Sequence, residues 1–328
     1  MIIVTGGAGF IGSNIVWGLL NNGFGDVVVC DYMCADERWK NIAKRELNDI
    51  ISPDKLQNFL AANVDKIDAI IHMGAISATT ETDVDLIVRS NINLTSDLWD
   101  FCRDNKIRFI YASSAATYGA GENGFLDNED QEYLNNLRPL NAYGWSKAFI
   151  DRKFARQQQE GRGAPIQHVG FKFFNVYGPN EYHKGGQKSV IAHIFGSVKR
   201  DEPVKLFKSY NPDYADGGQL RDFVWVGDIV DVVIWTLKNP NVNGLFNIGS
   251  GHARSFKDLA CATWAAMGKS PKIDYIDMPP SLREKYQYYT KAEISKLRAA
   301  GYDKKMTSLE DGVATYVQNF LNKTDNYL

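Results

Sequence analysis

Through the first half of the chain, short apolar runs alternate with stretches in which apolar residues recur every three or four positions. This is the pattern of parallel strands buried on both faces and joined by helices. Ile2-Ile3-Val4-Thr5 reads as the first strand, and Ser13 to Leu20 has helical spacing. Val27-Val28-Val29-Cys30, Ala69-Ile70-Ile71-His72 and Phe109-Ile110-Tyr111-Ala112 are the next clear strands. A helix carrying Tyr143 and Lys147 follows, running toward a charged end near 159–163, and Gln167 to Phe173 leads out of it as another strand. The alternation predicts an α/β fold with a doubly wound parallel sheet of the Rossmann type. Beyond Phe174 the regularity weakens into Gly-, Pro- and Tyr-rich segments, such as Asn175-Val176-Tyr177-Gly178-Pro179 and Ser209-Tyr210-Asn211-Pro212. From Phe223 to Gly251 strand and helix patterns resume. The expected organisation is a sheet domain over 1–173 with a return at 223–251, and a smaller, discontinuous C-terminal lobe from 174–222 and 252–328.

Chemistry enters at the end of the first strand, where Gly6-Gly7-Ala8-Gly9-Phe10-Ile11-Gly12 opens the first helix. Glycines permit a tight turn there and let backbone N–H groups approach a pyrophosphate at a helix start, where the dipole favours negative charge. The second strand ends at Asp31, about twenty residues past the last glycine, where a carboxylate meets an adenosine ribose. The sheet domain therefore reads as dinucleotide-binding. Arg38 and Lys40, just beyond, are cations able to hold a 2′-phosphate, so these residues leave both NADP and NAD open, Asp31 favouring NAD.

Ligands in open α/β sheets bind outside the carboxyl ends of the strands. There stand Met73-Gly74-Ala75-Ile76-Ser77, a small turn able to pass close to a cofactor, and Ser113-Ser114-Ala115-Ala116-Thr117-Tyr118-Gly119. In Tyr143-Gly144-Trp145-Ser146-Lys147 the Tyr and Lys are four apart and share one helix face. Alone, such a pair is a packed Tyr beside a solvated Lys. In this company it is a proton-transfer device: the ammonium is expected to draw the phenol toward neutrality and to hold the nicotinamide ribose. Ser114 would hydrogen-bond a substrate oxygen beside Tyr143.

The 328 residues, 44% of them apolar, suffice for one large domain or two joined lobes. A net charge of −2 gives no electrostatic reason to expect nucleic acid or an anionic membrane as partner. No apolar run approaches the ~20 residues that span a bilayer, and the first strand starts at Ile2, so a cytoplasmic location is expected. Cys30, Cys34, Cys102 and Cys261 show no metal spacing and read as reduced thiols.

The Thr-Gly-x-x-Gly-x-x-Gly turn at 5–12, Ser114 and Tyr143-x-x-x-Lys147 together resemble the extended short-chain dehydrogenase/reductase family of nucleotide-sugar epimerases. A nearer resemblance, to the branch that inverts C6 of an ADP-heptose for lipopolysaccharide synthesis, is carried by Phe174 to Pro179, His183-Lys184-Gly185, Arg221-Asp222-Phe223-Val224 and Leu297 to Asp303. That resemblance implies a tightly bound NADP, transient oxidation at C6, Tyr143 and Lys184 as acid/base groups on the two faces, and Lys147 and Ser114 in support. It also implies cofactor contacts at Gly6, Gly9, Phe10, Ile11, Gly12, Asp31, Tyr32, Arg38, 73–77, Asn91, Lys147, Val176 and Lys184. Substrate contacts would come from Ser114, Asn175, Gly186, His193, Phe207, Ser209, Arg221 and Tyr286, and the assembly would be a homo-oligomer, in this family a homopentamer. Tyr32 stands where the family usually has Asn, and Gly186 where Ser is common. The alternatives are another epimerase or dehydratase of the family and a dinucleotide-sensing module without chemistry. Dehydratases carry an acidic pair near the serine, whereas Ala115-Ala116-Thr117 stands here.

Overall fold

The computed structural model describes every residue except 284 and 285. Its strands are β1 (Ile2–Thr5), β2 (Val27–Cys30), β3 (Asp49–Ile51), β4 (Ala69–His72), β5 (Arg108–Ser114), β6 (His168–Phe173), β7 (Asn175–Tyr177), β8 (Val204–Phe207), β9 (Leu220–Trp225), β10 (Gly244–Ile248), β11 (Ala253–Ser255) and β12 (Ile273–Ile276). Seven of them form one parallel sheet in the order β10-β6-β5-β4-β1-β2-β3. The chain lays β2 and β3 on one side of β1, then β4 to β6 on the other. The order therefore reverses between β1 and β4, and this switch point is where such a sheet opens at its carboxyl edge. Thr5 pairs with Cys30 on one side and His72 on the other, so these three strands end level.

Alternate side chains of each strand go to opposite faces. Ile2, Val4, Val27, Val29 and Ile71 pack under the helices Phe10–Asn21 and Val226–Lys238. Ile3, Val28, Ile70, Phe109 and Tyr111 pack under the helices Leu94–Asp104 and Ala142–Gln159. Runs that are apolar at every position are what a sheet covered on both faces requires.

Within 223–251 the strands divide. β10 joins the large sheet beside β6, but β9 pairs with β7 and β11 in a separate three-stranded sheet. The reason is that β7 follows β6 after the single residue Phe174 and presents an edge that Phe223 to Trp225 fill. A third core, with Ile191, Phe195, Leu206, Trp264, Val313 and Tyr316, holds the lobe together. Among the described residues no helix is long and apolar enough to cross a membrane.

Candidate active site

A cleft of about 660 Å³ opens at the carboxyl ends of β1, β4, β5 and β6. Gly6, Gly9, Phe10, Ile11 and Gly12 form its floor. Gly6 has φ +64°, and a Cβ there would lie 2.6 Å from the Gly74 nitrogen. A Cβ on Gly12 would strike the Gly6 carbonyl. Only bare backbone leaves this cradle open, and Gly9 puts no side-chain cap on the helix that starts at Phe10. The first-turn N–H groups thus stay available to an anion, and the site fits a dinucleotide pyrophosphate.

Asp31 leaves β2 and accepts the Ala8 N–H at 3.0 Å. Burial raises its pKa, while the N–H groups of Ala8 and Gly9 and the Arg38 charge oppose that rise. Arg38 also lines the cleft, but its Nε and Nη2 are held by Asp36 at 2.7–3.1 Å, and its Nη1 lies 3.8 Å from Asp31. Lys40 pairs with Glu37, and Tyr32 is exposed with its hydroxyl donating to Asp54; neither lines the cleft.

The helix Ala142–Gln159 starts under an Asn141 cap, whose Oδ1 accepts the Gly144 N–H at 2.8 Å. Its first turn sets Tyr143 into the cleft beside Ser114, with Lys147 one turn below. Here the electrostatics differ from expectation. Burial raises Tyr143 above the ordinary phenol value, the Ser114 hydroxyl works the other way, and the Asp151 charge adds to the rise. Lys147 is buried as well, and burial pushes it down to about 8, with Asp151 opposing. The enclosure destabilises both ions, so the phenol rises above its ordinary value and does not fall toward neutrality as the pairing with Lys147 predicts.

Beneath these groups lies a buried network. Asp151 accepts from Lys172 Nζ at 2.8 Å, Ser113 Oγ at 2.7 Å and Tyr111 at 3.3 Å. Lys172 also donates to Thr117 at 2.7 Å and stands over the Tyr118 ring at 4.6 Å. The network ties the helix of Tyr143 to β5 and β6.

Lys184 reaches the same cleft from the turn Tyr182–Gln187 and lies 5.3 Å from the Phe10 ring centre. Burial lowers its pKa, and Glu181 opposes the shift. Buried Glu181 anchors this turn by accepting from Ser189 at 2.5 and 2.6 Å and from Tyr316 at 2.9 Å.

Met73, Gly74, Ala75, Ser77, Asn175 and Val176 also line the cleft. Ile76 and Asn91 lie behind it, and the Asn91 amide is spent on the Ile76 backbone and on Ser146. Gly186 and His193 do not line the cleft; they meet each other, with His193 Nε2 3.2 Å from the Gly186 carbonyl. Phe207, Ser209, Arg221 and Tyr286 stand outside the cleft wall, in the lobe. Arg221 is stacked between Phe256 and Tyr286, at 5.6 and 5.3 Å, and only Phe256 of this set touches the cleft. Sequence reasoning missed His183, Lys188, Phe256 and Leu259 in the wall. A signal existed for the Lys172 network: a lysine between Phe171 and Phe173 in a buried strand demands a partner.

The profile of the NAD dependent epimerase/dehydratase family matches residues 2–249. An ADP-L-glycero-D-manno-heptose-6-epimerase from Fusobacterium nucleatum is 49% identical over 336 residues, covering 100% of both chains. Among solved structures, the Helicobacter pylori ADP-L-glycero-D-manno-heptose-6-epimerase superposes with a TM-score of 0.78 at 27% identity, covering 97% of this chain and 95% of that one. MoeE5 in complex with UDP-glucuronic acid and NAD gives 0.74 at 27% identity, covering 97% of each. With a glycine cradle, a Ser-Tyr-Lys set and full-length relatives of this kind, the chain belongs to the NAD dependent epimerase/dehydratase family.

Proposed function

We propose that the protein interconverts ADP-D-glycero-D-manno-heptose and ADP-L-glycero-D-manno-heptose by inverting C6, in the cytoplasm, as a step in lipopolysaccharide core precursor synthesis. The observation that carries this reading is that Tyr143 and Lys184, from separate elements, both open into the cleft that holds the glycine cradle. A nicotinamide dinucleotide supplies, when bound, a reversible acceptor for the hydrogen of the sugar carbon. The protein must then move protons at the C6 oxygen for two orientations of one carbonyl, which calls for a group on each side. The two residues are tuned apart. Tyr143, raised by burial, holds its proton and is the donor, while Lys184, lowered by burial, is the readier base. One takes the hydroxyl proton in the first half-reaction, and the other returns a proton to the oxygen in the second. Lys147 and Ser114 orient Tyr143 and the oxygen it serves.

The cofactor of this reading is NADP, with the 2′-phosphate at Arg38 and NAD as the weaker ligand. Support comes from Arg38 at the cleft wall with donors left over from Asp36. The reading includes a homo-oligomer, supported by the exposed Leu140, Trp145 and Phe149 at the outer start of the catalytic helix. Incubating the pure protein with ADP-D-glycero-D-manno-heptose and following C6 by NMR tests the function. The epimer should accumulate without added cofactor, and unchanged substrate over many protein equivalents would refute the reading.

A further inference from the structure

Behind the cleft floor, five polar side chains lie buried together: Thr5, His72, Asn91, Thr95 and Ser146. Their hydrogen bonds can be read in only one direction. The Thr95 hydroxyl is 2.6 Å from the Asn91 carbonyl, which only accepts, so its single proton is committed there. His72 Nε2, 2.9 Å from that same hydroxyl oxygen, must therefore be the donor. The ring is neutral, because burial pushes it down to about 3, so Nδ1 carries a lone pair. Thr5 Oγ1, 2.6 Å away, donates to it and is left to accept the Gly74 N–H at 3.2 Å. Beyond Thr95 the Asn91 amide clamps the Ile76 N–H and carbonyl at 2.8 and 3.0 Å and donates to Ser146 at 3.1 Å. Ser146 in turn donates to the Tyr143 carbonyl at 2.7 Å.

We infer that His72, fixed as its neutral Nε2–H tautomer, is a positioning residue that joins the glycine turn and the 73–77 loop, through Thr95, to the main chain of Asn91, whose side-chain amide in turn holds Ile76 and the helix of Tyr143, and that this connected set of hydrogen bonds sets the affinity for the dinucleotide. The set ends where backbone must be held most closely: Gly74 lies against Gly6, too near for any Cβ between them. A reversed tautomer would set the Nε2 lone pair against the Thr95 oxygen, whose proton is already given to the Asn91 carbonyl, and would take from the Thr5 hydroxyl the acceptor that orients it toward the Gly74 N–H, loosening the two loops that floor the cleft. The affinity part of the inference rests on the dinucleotide reading above, whereas the tautomer does not.

Two measurements test it. In charcoal-stripped, ¹⁵N-histidine-labelled protein, NMR should show the His72 ring with a pyridine-like Nδ1 and a protonated Nε2 across pH 5–8. A protonated Nδ1 anywhere in that range overturns the inference. Calorimetric titration of NADP into stripped Thr5→Val, which keeps the side-chain shape but loses the hydroxyl, should show binding weakened roughly tenfold, as expected when a buried N–H loses its partner. Thr95→Val should weaken binding in the same direction, and Thr5→Ser should restore it. Lower melting temperatures with unchanged affinity in both valine variants would make these hydrogen bonds merely structural and overturn the inference. If the wild-type protein binds neither NADP nor NAD, the proposed function fails while the tautomer result still stands.

Discussion

Replacing Lys172 by Met removes one charge from an ion pair in which neither side chain has exposed surface and the charged atoms are 2.8 Å apart. At an effective dielectric of about 20, that separation corresponds to a gross attraction of about 6 kcal/mol. Desolvation of the two ions costs several kcal/mol each, so the pair is close to neutral against an apolar replacement. The single substitution is different, because it leaves the buried Asp151 carboxylate with the Ser113 and Tyr111 hydroxyls as its hydrogen-bond donors and no ion in contact, Lys147 acting on it only through its field. Breaking a buried pair in this way costs about 3–5 kcal/mol. Lys172→Met should lose that much stability in guanidinium unfolding followed by circular dichroism, read as a lower midpoint at unchanged slope. Asp151→Asn should lose a comparable amount, while the double variant should recover most of it, giving a coupling of at least about 2 kcal/mol. Turnover should fall in the single variants, since Ser113 hangs on Asp151 next to Ser114. A loss below about 1 kcal/mol for Lys172→Met, or single losses that simply add in the double variant, would refute the view that this pair ties the helix of Tyr143 to β5 and β6.

Tyr143→Phe and Lys184→Ala should each lose roughly 10²–10⁴-fold in epimerisation rate while keeping bound cofactor; near-normal turnover by Lys184→Ala would remove it from the proton-transfer role. With Lys147 at about 8, its ammonium is fully present at acidic pH and is lost as pH rises through 8. The pH profile of kcat/KM should therefore fall on an alkaline limb near pH 8, and Lys147→Arg should move that limb upward; a limb at the same pH in both proteins places the titration elsewhere. Arg38→Ala should weaken NADP more than NAD in direct binding measurements. A charge-assisted contact is worth about 1.5–3 kcal/mol, here reduced because Asp36 and Asp31 share the guanidinium. Equal losses for the two cofactors would move the 2′-phosphate away from Arg38.

Much of the scaffold and the family were legible in the chain because the rules behind them are local. An apolar run flanked by turns is a buried strand wherever it folds, and β1, β2, β4, β5 and β6 fall within a few residues of the apolar runs that predict them. The glycine turn is equally local, since φ at Gly6 and the lack of a Cβ at Gly12 are properties of those residues. The Tyr143 and Lys147 pair needs only the helical repeat to share one face. Tertiary structure decided what no local pattern encodes, namely which distant side chains share an enclosed space and what that space does to their charges. It moved β9 out of the large sheet, because an edge at β7 was free, and left Arg221, Phe207, Ser209 and Tyr286 in the lobe, outside the cleft wall. It raised Tyr143 where its lysine neighbour alone predicts a fall, because burial acts on both ions at once. Thr5 and His72 stand 67 positions apart, and Lys172 and Asp151 stand 21 apart. In each pair the sequence supplied a polar residue that cannot be buried alone, and only the packing of strand against strand and helix supplied its partner.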